Sequence, residues 1–173
     1  SSALLTKEYL AKEKLQKAQD MLVSGVRGIE VYYRDLNPKI FPDLVEAAFS
    51  FPAGNNIEVV GRMDLTDTRN VIHEMKTTRR TPNMQDIRND PQLTIYQIGF
   101  KTIKKKAPRG ISKDYIVFSK KEPMIMRFQV ARPLTSKKTV LRNVAAIMEA
   151  VKHNVFYCLH PAESWICSKE WCG

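Results

Sequence analysis

The spacing of apolar residues predicts three helices in this chain. The first covers residues 7–24, which are rich in helix formers, and Ser24–Gly25 is its predicted end. The second begins at Pro91, with Asp90 as its cap, and runs to about Lys106. The third covers about 137–157. The apolar stripe of the first helix is Leu15, Ala18 and Leu22. The apolar stripe of the third helix is Val140, Val144, Ile147, Val151 and Val155.

Alternating apolar positions and runs of β-branched and aromatic residues predict the strands. The predicted strands are 29–36, 44–52, 57–65, 71–77, 114–119 and 124–130. The last two form a hairpin around Lys120–Pro123, Asp67–Asn70 is a turn, and 81–90 is a loop. The order of elements indicates one α/β domain over 1–173, a central mixed β-sheet flanked by helices.

Length and composition narrow the class of protein. The chain has 173 residues, of which 43% are hydrophobic, and that suffices for one domain with a core. No stretch approaches the roughly 18 apolar residues needed to cross a bilayer, so we expect no membrane partner. We also expect no signal peptide, and whether native residues precede Ser1 or follow Gly173 stays open. Three cysteines without disulfide-framework spacing favour a reducing compartment.

The charge balance points to an anionic partner. The chain has 28 Lys and Arg against 18 Asp and Glu, a formal charge of +10. Such a surface attracts polyanions, above all nucleic acid. A basic surface that serves only solubility is the alternative.

Two carboxylates and a lysine are expected to meet on adjacent strands. Glu74 and Lys76 are two apart in a strand, so they share a face. If the preceding turn has an odd length, such as Asp67–Arg69, Asp64 lies opposite Ile72 and diagonal to Glu74, roughly 7–8 Å away between backbones. A turn of even length would put Asp64 on the other face.

Paired carboxylates repel each other unless a cation joins them. Mg²⁺ and Mn²⁺ prefer such oxygen ligands and keep several waters. The cation can lower the pKa of a water to generate a nucleophile, and Lys76 can orient that water or stabilise charge on a phosphate. Asp64, Glu74 and Lys76 together therefore favour phosphodiester hydrolysis. The alternative is that Glu74 and Lys76 belong to a charged surface hairpin and that Asp64 is unrelated to them.

The motifs around these residues resemble the PD-(D/E)XK nuclease superfamily, in particular its RecB-like exonuclease branch. An apolar strand ends in Gly-x-x-Asp, "VVGRMD" (59–64), and the next carries Glu-x-Lys followed by Thr, "VIHEMKTT" (71–78). A helix then brings Gln92 and Tyr96 four residues apart, and "VEAAF" (45–49) fits an upstream strand of the branch. The resemblance covers about 44 to 100 and implies a restriction-endonuclease-like core.

The resemblance also implies residue roles. It assigns metal binding to Asp64, Glu74 and the backbone carbonyl of Met75, and catalytic support to Lys76. Gln92 and Tyr96 share one helix face, which the resemblance directs toward DNA and the active site; the alternative is a core tyrosine beside a surface glutamine. Glu46 is implied only as a supporting polar residue.

The histidines depart from the pattern of many relatives, which carry a histidine ligand in an N-terminal helix. This chain has only His73, His153 and His160, and none precedes the strands with the carboxylates. His73 alternates with Glu74, so we expect it to be packed or partly exposed. No Cys-x-x-Cys pair is present, so we do not expect a zinc site at His160.

The C-terminal cysteines raise the question of an iron–sulfur cluster. Several RecB-like nucleases end in cysteines that bind such a cluster, and Cys167 and Cys172 are the candidate ligands. A four-iron cluster needs about four thiolates, and this chain has three with Cys158. We therefore favour ordinary tail cysteines for the chain as it stands and keep a cluster in the complete protein as the alternative.

Basic residues near the predicted site are candidates for DNA contact. They are Arg79 and Arg80 after the catalytic strand, and Lys104, Lys105 and Lys106 in the run 101–113. For the lysines a solvated helix end is an equal alternative, since cations favour helix C-termini.

These observations predict a metal-dependent DNA exonuclease that uses Mg²⁺ or Mn²⁺, in recombination, repair or phage DNA processing. An endonuclease on the same core and an inactive DNA-binding module are the alternatives. We expect the cytoplasm of a bacterium or a phage-infected host cell. Polarity, strand preference and oligomeric state do not follow from the sequence.

Overall fold

The centre of the protein is a five-stranded mixed sheet, seen in a computed structural model that describes residues 2–54, 56–118 and 122–155. In chain order the strands are β1 (Pro42–Gly54), β2 (Ile57–Asp67), β3 (Val71–Thr78), β4 (Gly110–Val117) and β5 (Met124–Val130). They keep this order across the sheet. Strands β3 and β4 are parallel and the other neighbours antiparallel, so the predicted mixed α/β sheet is confirmed.

Four helices accompany the sheet. They are α1 (Ser2–Val31), α2 (Met84–Asn89), α3 (Pro91–Lys104) and α4 (Leu134–Lys152). Helices α2 and α3 form the crossover that the parallel pair β3–β4 requires. As predicted, α3 begins at Pro91 with Asp90 as its cap, because Asp90 Oδ1 accepts the Gln92 N–H at 2.9 Å.

The main core lies against α3 and depends on a close approach at two glycines. The Phe49 ring of β1 lies between Gly61 of β2 and Gly99 of α3. A Cβ built on either glycine would come 2.5 Å from the ring, so only glycine fits without a shift. Phe49 also meets the Tyr96 ring edge-on, with centroids 6.0 Å apart. This contact seats α3 on the sheet and sets the height of Tyr96 above it.

A smaller core contains Leu36, Ile40 and Leu65, with Met75 packed against it. Met75 and Glu74 are neighbours in β3 and therefore point to opposite faces. The sheet is thus covered on both sides near the middle of β3, which explains how a charged residue there becomes fully buried.

The predicted strand at 29–36 is wrong. Helix α1 continues through Val31, and Tyr32–Leu36 form a π-helical turn before a 3₁₀ turn at Asn37–Lys39. Only part of the apolar pattern that favoured a strand is used for packing, since Val31 and Leu36 are buried while Ile29 and Tyr33 are exposed. Gly28 contacts the Phe118 ring inside the helix, so the glycines near 24–28 do not end it.

Three other boundaries differ from the predictions. The predicted loop 81–90 contains α2, which Asn83 caps through the Gln85 N–H at 2.9 Å. Strand β4 begins at Gly110 instead of 114, because parallel pairing with β3 supplies backbone partners for 110–113. Helix α4 spans Leu134–Lys152, and residues 156 and 157 of the predicted helix lie outside the described residues.

The predicted apolar stripes of the outer helices are mostly exposed. Leu15 and Leu22 of α1 expose 62% and 70% of their surface, and in α4 only Val140 of the predicted stripe is buried, while Ile147 is 62% exposed. Across the described residues no helix is long and apolar enough to cross a membrane.

Substituting two of the helical glycines, Gly25 and Gly99, should change stability in opposite directions. Gly99→Ala places a methyl group against the Phe49 ring and should lower the free energy of unfolding by about 1–3 kcal/mol. A Cβ added at Gly25 meets no atom within 4 Å. Gly25→Ala should therefore raise the free energy of unfolding by about 0.5–1 kcal/mol, because alanine favours a helix interior. Urea unfolding of the two variants and the parent checks this. An equal gain in the free energy of unfolding for both variants would contradict the packing role assigned to the contact between Gly99 and the Phe49 ring.

Candidate active site

The site begins where β2 and β3 separate. The described ladder between them has two paired positions, Leu65 with His73 and Thr66 with Ile72. Beyond these pairs the Asp64 carboxylate accepts the Met75 N–H at 3.1 Å. A side chain therefore replaces a backbone acceptor, and this contact fixes Asp64 at the opening between the strands.

The predicted register of this pair is wrong by two residues. Thr66 lies opposite Ile72, so the register continued along both strands brings Asp64 level with Glu74 instead of diagonal to it. The turn is wider because Asp67 Oδ1 accepts the N–H groups of Arg69 and Val71, each at 2.9 Å. A shift of two residues keeps side chains on the same face. The expected meeting of Asp64 and Glu74 therefore survives the error.

Glu74 is a fully buried carboxylate without a hydrogen-bond donor. Its side chain has 0% exposure, and neither carboxylate oxygen has a hydrogen-bond partner among the described residues. Lys76 Nζ forms an ion pair with Glu74 Oε1 at 2.5 Å, and 45% of the Lys76 side chain is exposed to solvent. Buried charges normally occur with full compensation, so these oxygens point to a missing cationic partner.

The pKa shifts describe a site short of positive charge. Burial raises the pKa of Glu74, the Lys76 ammonium partly offsets this, and the charge of Asp64 raises it further. The contact with Glu74 raises the pKa of Lys76, which keeps it a cation at neutral pH. Burial, followed by the charges of Glu74 and Asp64, raises the pKa of Tyr96, whose hydroxyl stays protonated.

Helix α3 brings Gln92 and Tyr96 to the carboxylates. Gln92 Nε2 donates to the Tyr96 hydroxyl oxygen at 2.9 Å, which leaves the hydroxyl proton to donate onward. Tyr96 is a core residue, since its ring packs on Phe49, while burial and the charge of Glu74 raise the pKa of its hydroxyl. The packed ring agrees with the core alternative, Gln92 is half-buried, and a role of either residue toward DNA stays a prediction.

A second ion pair beside the site is absent from the sequence prediction. Lys113 Nζ pairs with Asp90 Oδ2, while Asp90 Oδ1 caps α3. Lys113 lies beside Glu74 in the parallel register of β3 and β4. It went unnoticed because β4 was predicted to begin at 114; extending that strand back by one residue would have placed Lys113 in the sheet.

His73 belongs to a buried network on the other face of β3. Its two ring nitrogens each lie 3.3 Å from a carboxylate, one of Asp67 and one of Asp114. Burial would raise the pKa of Asp114, but hydrogen bonds from His73, Arg127 and Ser112 lower it. The expectation that His73 is packed is confirmed, whereas its two acidic partners were not predicted.

The remaining predicted residues lie at varied distances from this chemistry. Glu46 is exposed, adopts a φ of 50°, and pairs with Arg62 at 3.9 Å. Lys104 pairs with Asp43 at 2.6 Å, and its neighbours Lys105 and Lys106 are exposed. Arg79 and Arg80 are exposed directly after β3. Cys158, Cys167, Cys172 and His160 lie outside the described residues.

The residues present fit a divalent cation held by oxygen atoms. No group of three or more His, Cys, Asp or Glu side chains forms a metal cage within the described ranges. Two carboxylates, Asp64 and Glu74, with the Met75 carbonyl as a candidate third ligand, suit Mg²⁺ or Mn²⁺, which keep several waters. The unpartnered oxygens of Glu74 are the observation that supports this fit.

Comparison with known proteins identifies the class. Residues 2–173 match the family model of the PD-(D/E)XK nuclease superfamily, and the chain belongs to this superfamily. Its members are nucleases that generally use divalent metals. No curated protein matches the chain.

One solved structure supports the fold. A Eubacterium rectale protein named "Putative exonuclease" superposes with a TM-score of 0.55 at 14% identity, covering 75% of this chain and 52% of its own. The chain therefore spans about half the length of that protein. A protein designated SSO0001 gives a TM-score of 0.46 at 17% identity, covering 81% of this chain and 64% of its own.

Removing the charge of Glu74 should stabilise the metal-free protein. The raised pKa means that folding favours the protonated acid, so stability is lost as pH rises through the folded pKa. Above that pH and with a chelator, Glu74→Gln should melt a few degrees above the parent. Adding Mn²⁺ should then raise the melting temperature of the parent but not of the variant.

Glu58→Gln is the matched control, because Glu58 is exposed on β2 and should change neither result. An equal Mn²⁺ response in the parent and in Glu74→Gln would remove Glu74 from the metal site.

Proposed function

We propose that the chain is a Mg²⁺- or Mn²⁺-dependent deoxyribonuclease that hydrolyses phosphodiester bonds from DNA ends. The observation that carries the proposal is the buried Glu74 carboxylate, without a hydrogen-bond donor, beside Asp64 and Lys76. A cation bound by Asp64 and Glu74 would supply an activated water and charge stabilisation at the phosphate. Recombination, repair or phage DNA processing is the proposed setting.

Each residue of the site has a proposed task. Lys76 is a cation with 45% of its side chain exposed, so it can reach a phosphate from the edge of the site and stabilise developing charge. Tyr96 keeps its proton and can donate it in a hydrogen bond toward the scissile group, with Gln92 holding its oxygen. Arg79 and Arg80 follow the catalytic strand and are proposed to bind DNA phosphates.

End dependence is supported by the resemblance to the RecB-like branch and by the name of the Eubacterium rectale protein. An endonuclease on the same core is the second candidate, since the carboxylates and lysine serve either reaction. The complete set of Asp64, Glu74 and Lys76 argues against a binding module that has lost its chemistry.

Substituting Lys76 should separate catalysis from binding. Lys76→Ala keeps both carboxylates and should lower the cleavage rate on the order of 10²–10³-fold, because one electrostatic contact in the transition state is lost. DNA affinity at fixed salt should change little, since many other basic groups supply it. Asp64→Asn should weaken Mn²⁺ binding as well as cleavage.

Cleavage rate, DNA affinity and metal titration are measured for each variant, with Lys12→Ala as an exposed control that should match the parent. A Lys76→Ala protein that cuts as fast as the parent would disprove the role given to this lysine. A parent that binds DNA but never cuts it with any divalent metal would establish the binding module.

The requirement for ends is tested with three substrates in Mn²⁺: linear duplex, linear single strands and closed circular plasmid. The parent should degrade linear DNA while the closed circle persists. Lys76→Ala serves as the control for contaminating nucleases and should be slow on every substrate. Nicking or linearisation of the circle at a rate like that of linear DNA would favour the endonuclease.

A further inference from the structure

A cationic pocket lies on the face of the sheet opposite the carboxylates. It encloses about 740 Å³ at the ends of β3 and β4 where these parallel strands begin. His73 and Ser112 line it, and both alternate with residues of the active-site face, Glu74 and Lys113. The thickness of the sheet therefore separates this pocket from the proposed catalytic site.

The lining of this pocket carries four basic side chains and no carboxylate. Lys39, Arg69, Arg109 and Arg127 contribute the positive charge. The carboxylates of Asp67 and Asp114 lie behind the wall, where they pair with Arg69 and Arg127. Lys39 and Arg109 are exposed and form no ion pair among the described residues, so the pocket has a surplus of positive charge.

Two of the four cations are held rigidly. Arg127 donates from Nε and Nη2 to Asp114 at 2.8 and 3.1 Å. Arg69 donates to Asp67 at 2.9 and 3.0 Å and to the Lys39 carbonyl oxygen at 2.5 Å. Since a guanidinium has five N–H donors, each arginine keeps donors for another acceptor. The backbone N–H of Arg109 donates to the backbone carbonyl oxygen of Asn70 at 2.8 Å, which joins the segment before β4 to the turn before β3.

We propose that this pocket binds the phosphate groups of a nucleotide-sized ligand. Fixed guanidinium groups suit phosphate oxygens, and the two unpaired cations add net attraction. The volume is that of a small-molecule site, larger than one phosphate requires, and Val71, on the same face of β3 as His73, adds apolar surface for the rest of the ligand. A free nucleotide and the terminal nucleotide of a DNA strand are the two sources of this chemistry.

Calorimetry with chelator present tests the pocket without metal-assisted binding at the carboxylates. The probes are inorganic pyrophosphate, dATP, and one short oligonucleotide with a 5′-phosphate or a 5′-hydroxyl. Pyrophosphate and dATP should bind the parent and should bind Lys76→Ala equally well, because Lys76 lies on the other face. Affinity should fall with added salt.

The double variant Lys39→Gln/Arg109→Gln should weaken the binding of pyrophosphate and dATP on the order of a hundredfold or more, because two charge-assisted contacts are lost. Both residues are exposed, so circular dichroism and the melting temperature should match the parent. The matched control, Lys14→Gln/Arg142→Gln, removes the same two residue types from other exposed positions and should bind like the parent.

The oligonucleotide pair identifies the source of the phosphate. If the parent binds the 5′-phosphorylated strand more tightly than the 5′-hydroxyl strand, and Lys39→Gln/Arg109→Gln loses this difference, the pocket is assigned to a DNA end. If the parent binds both strands equally and also binds dATP, the pocket is assigned to a free nucleotide. Absence of saturable binding of all probes would overturn the proposal. Equal binding by the parent and Lys39→Gln/Arg109→Gln would also overturn it.

Discussion

The packing of the Phe49 ring between two glycines is the contact on which the site depends. Gly61 and Gly99 let β1, β2 and α3 approach more closely than any larger residue allows. That approach brings the Tyr96 ring onto Phe49 and its hydroxyl toward the carboxylates on the sheet. The position of α3 is therefore set by steric fit in the core, at a distance from the polar end of Tyr96.

The sheet then buries a charge that it does not fully compensate. In the part of the chain that the structure describes, neither carboxylate oxygen of Glu74 has a hydrogen-bond donor, and Lys76, its ion-pair partner, is half in solvent. Leaving a buried carboxylate in this state costs free energy, which the rest of the fold has to supply. The proposed cation would offset this cost, because the same oxygens would then become its ligands.

On the opposite face of β3 the buried charges are compensated by ion pairs. There His73 lies between Asp67 and Asp114, and each carboxylate is held further by an arginine on the pocket wall. These buried acids are fully paired, and the pKa values of both are lowered in spite of burial. One strand thus carries an uncompensated site on one face and a compensated network on the other, and the alternation of side chains keeps them apart.

Strand and helix periodicity predicts that Glu74 and Lys76 share a strand face and that Gln92 and Tyr96 share a helix face, while the roles proposed for them rest on the family resemblance. The same patterns failed at 29–36, where the helix continues through Val31 into a π-helical turn, and at the exposed stripes of α1 and α4. The register of β2 and β3 follows from a local contact that residue spacing alone does not show, because the Asp67 side chain accepts the N–H groups of Arg69 and Val71 and widens the turn. Only the tertiary structure brought Lys113 to Asp90, 23 residues away in the chain, and placed Lys39 and Arg109, 70 residues apart, in the lining of one pocket. Contacts across such separations follow from how strands pair in space, and no local spacing encodes that.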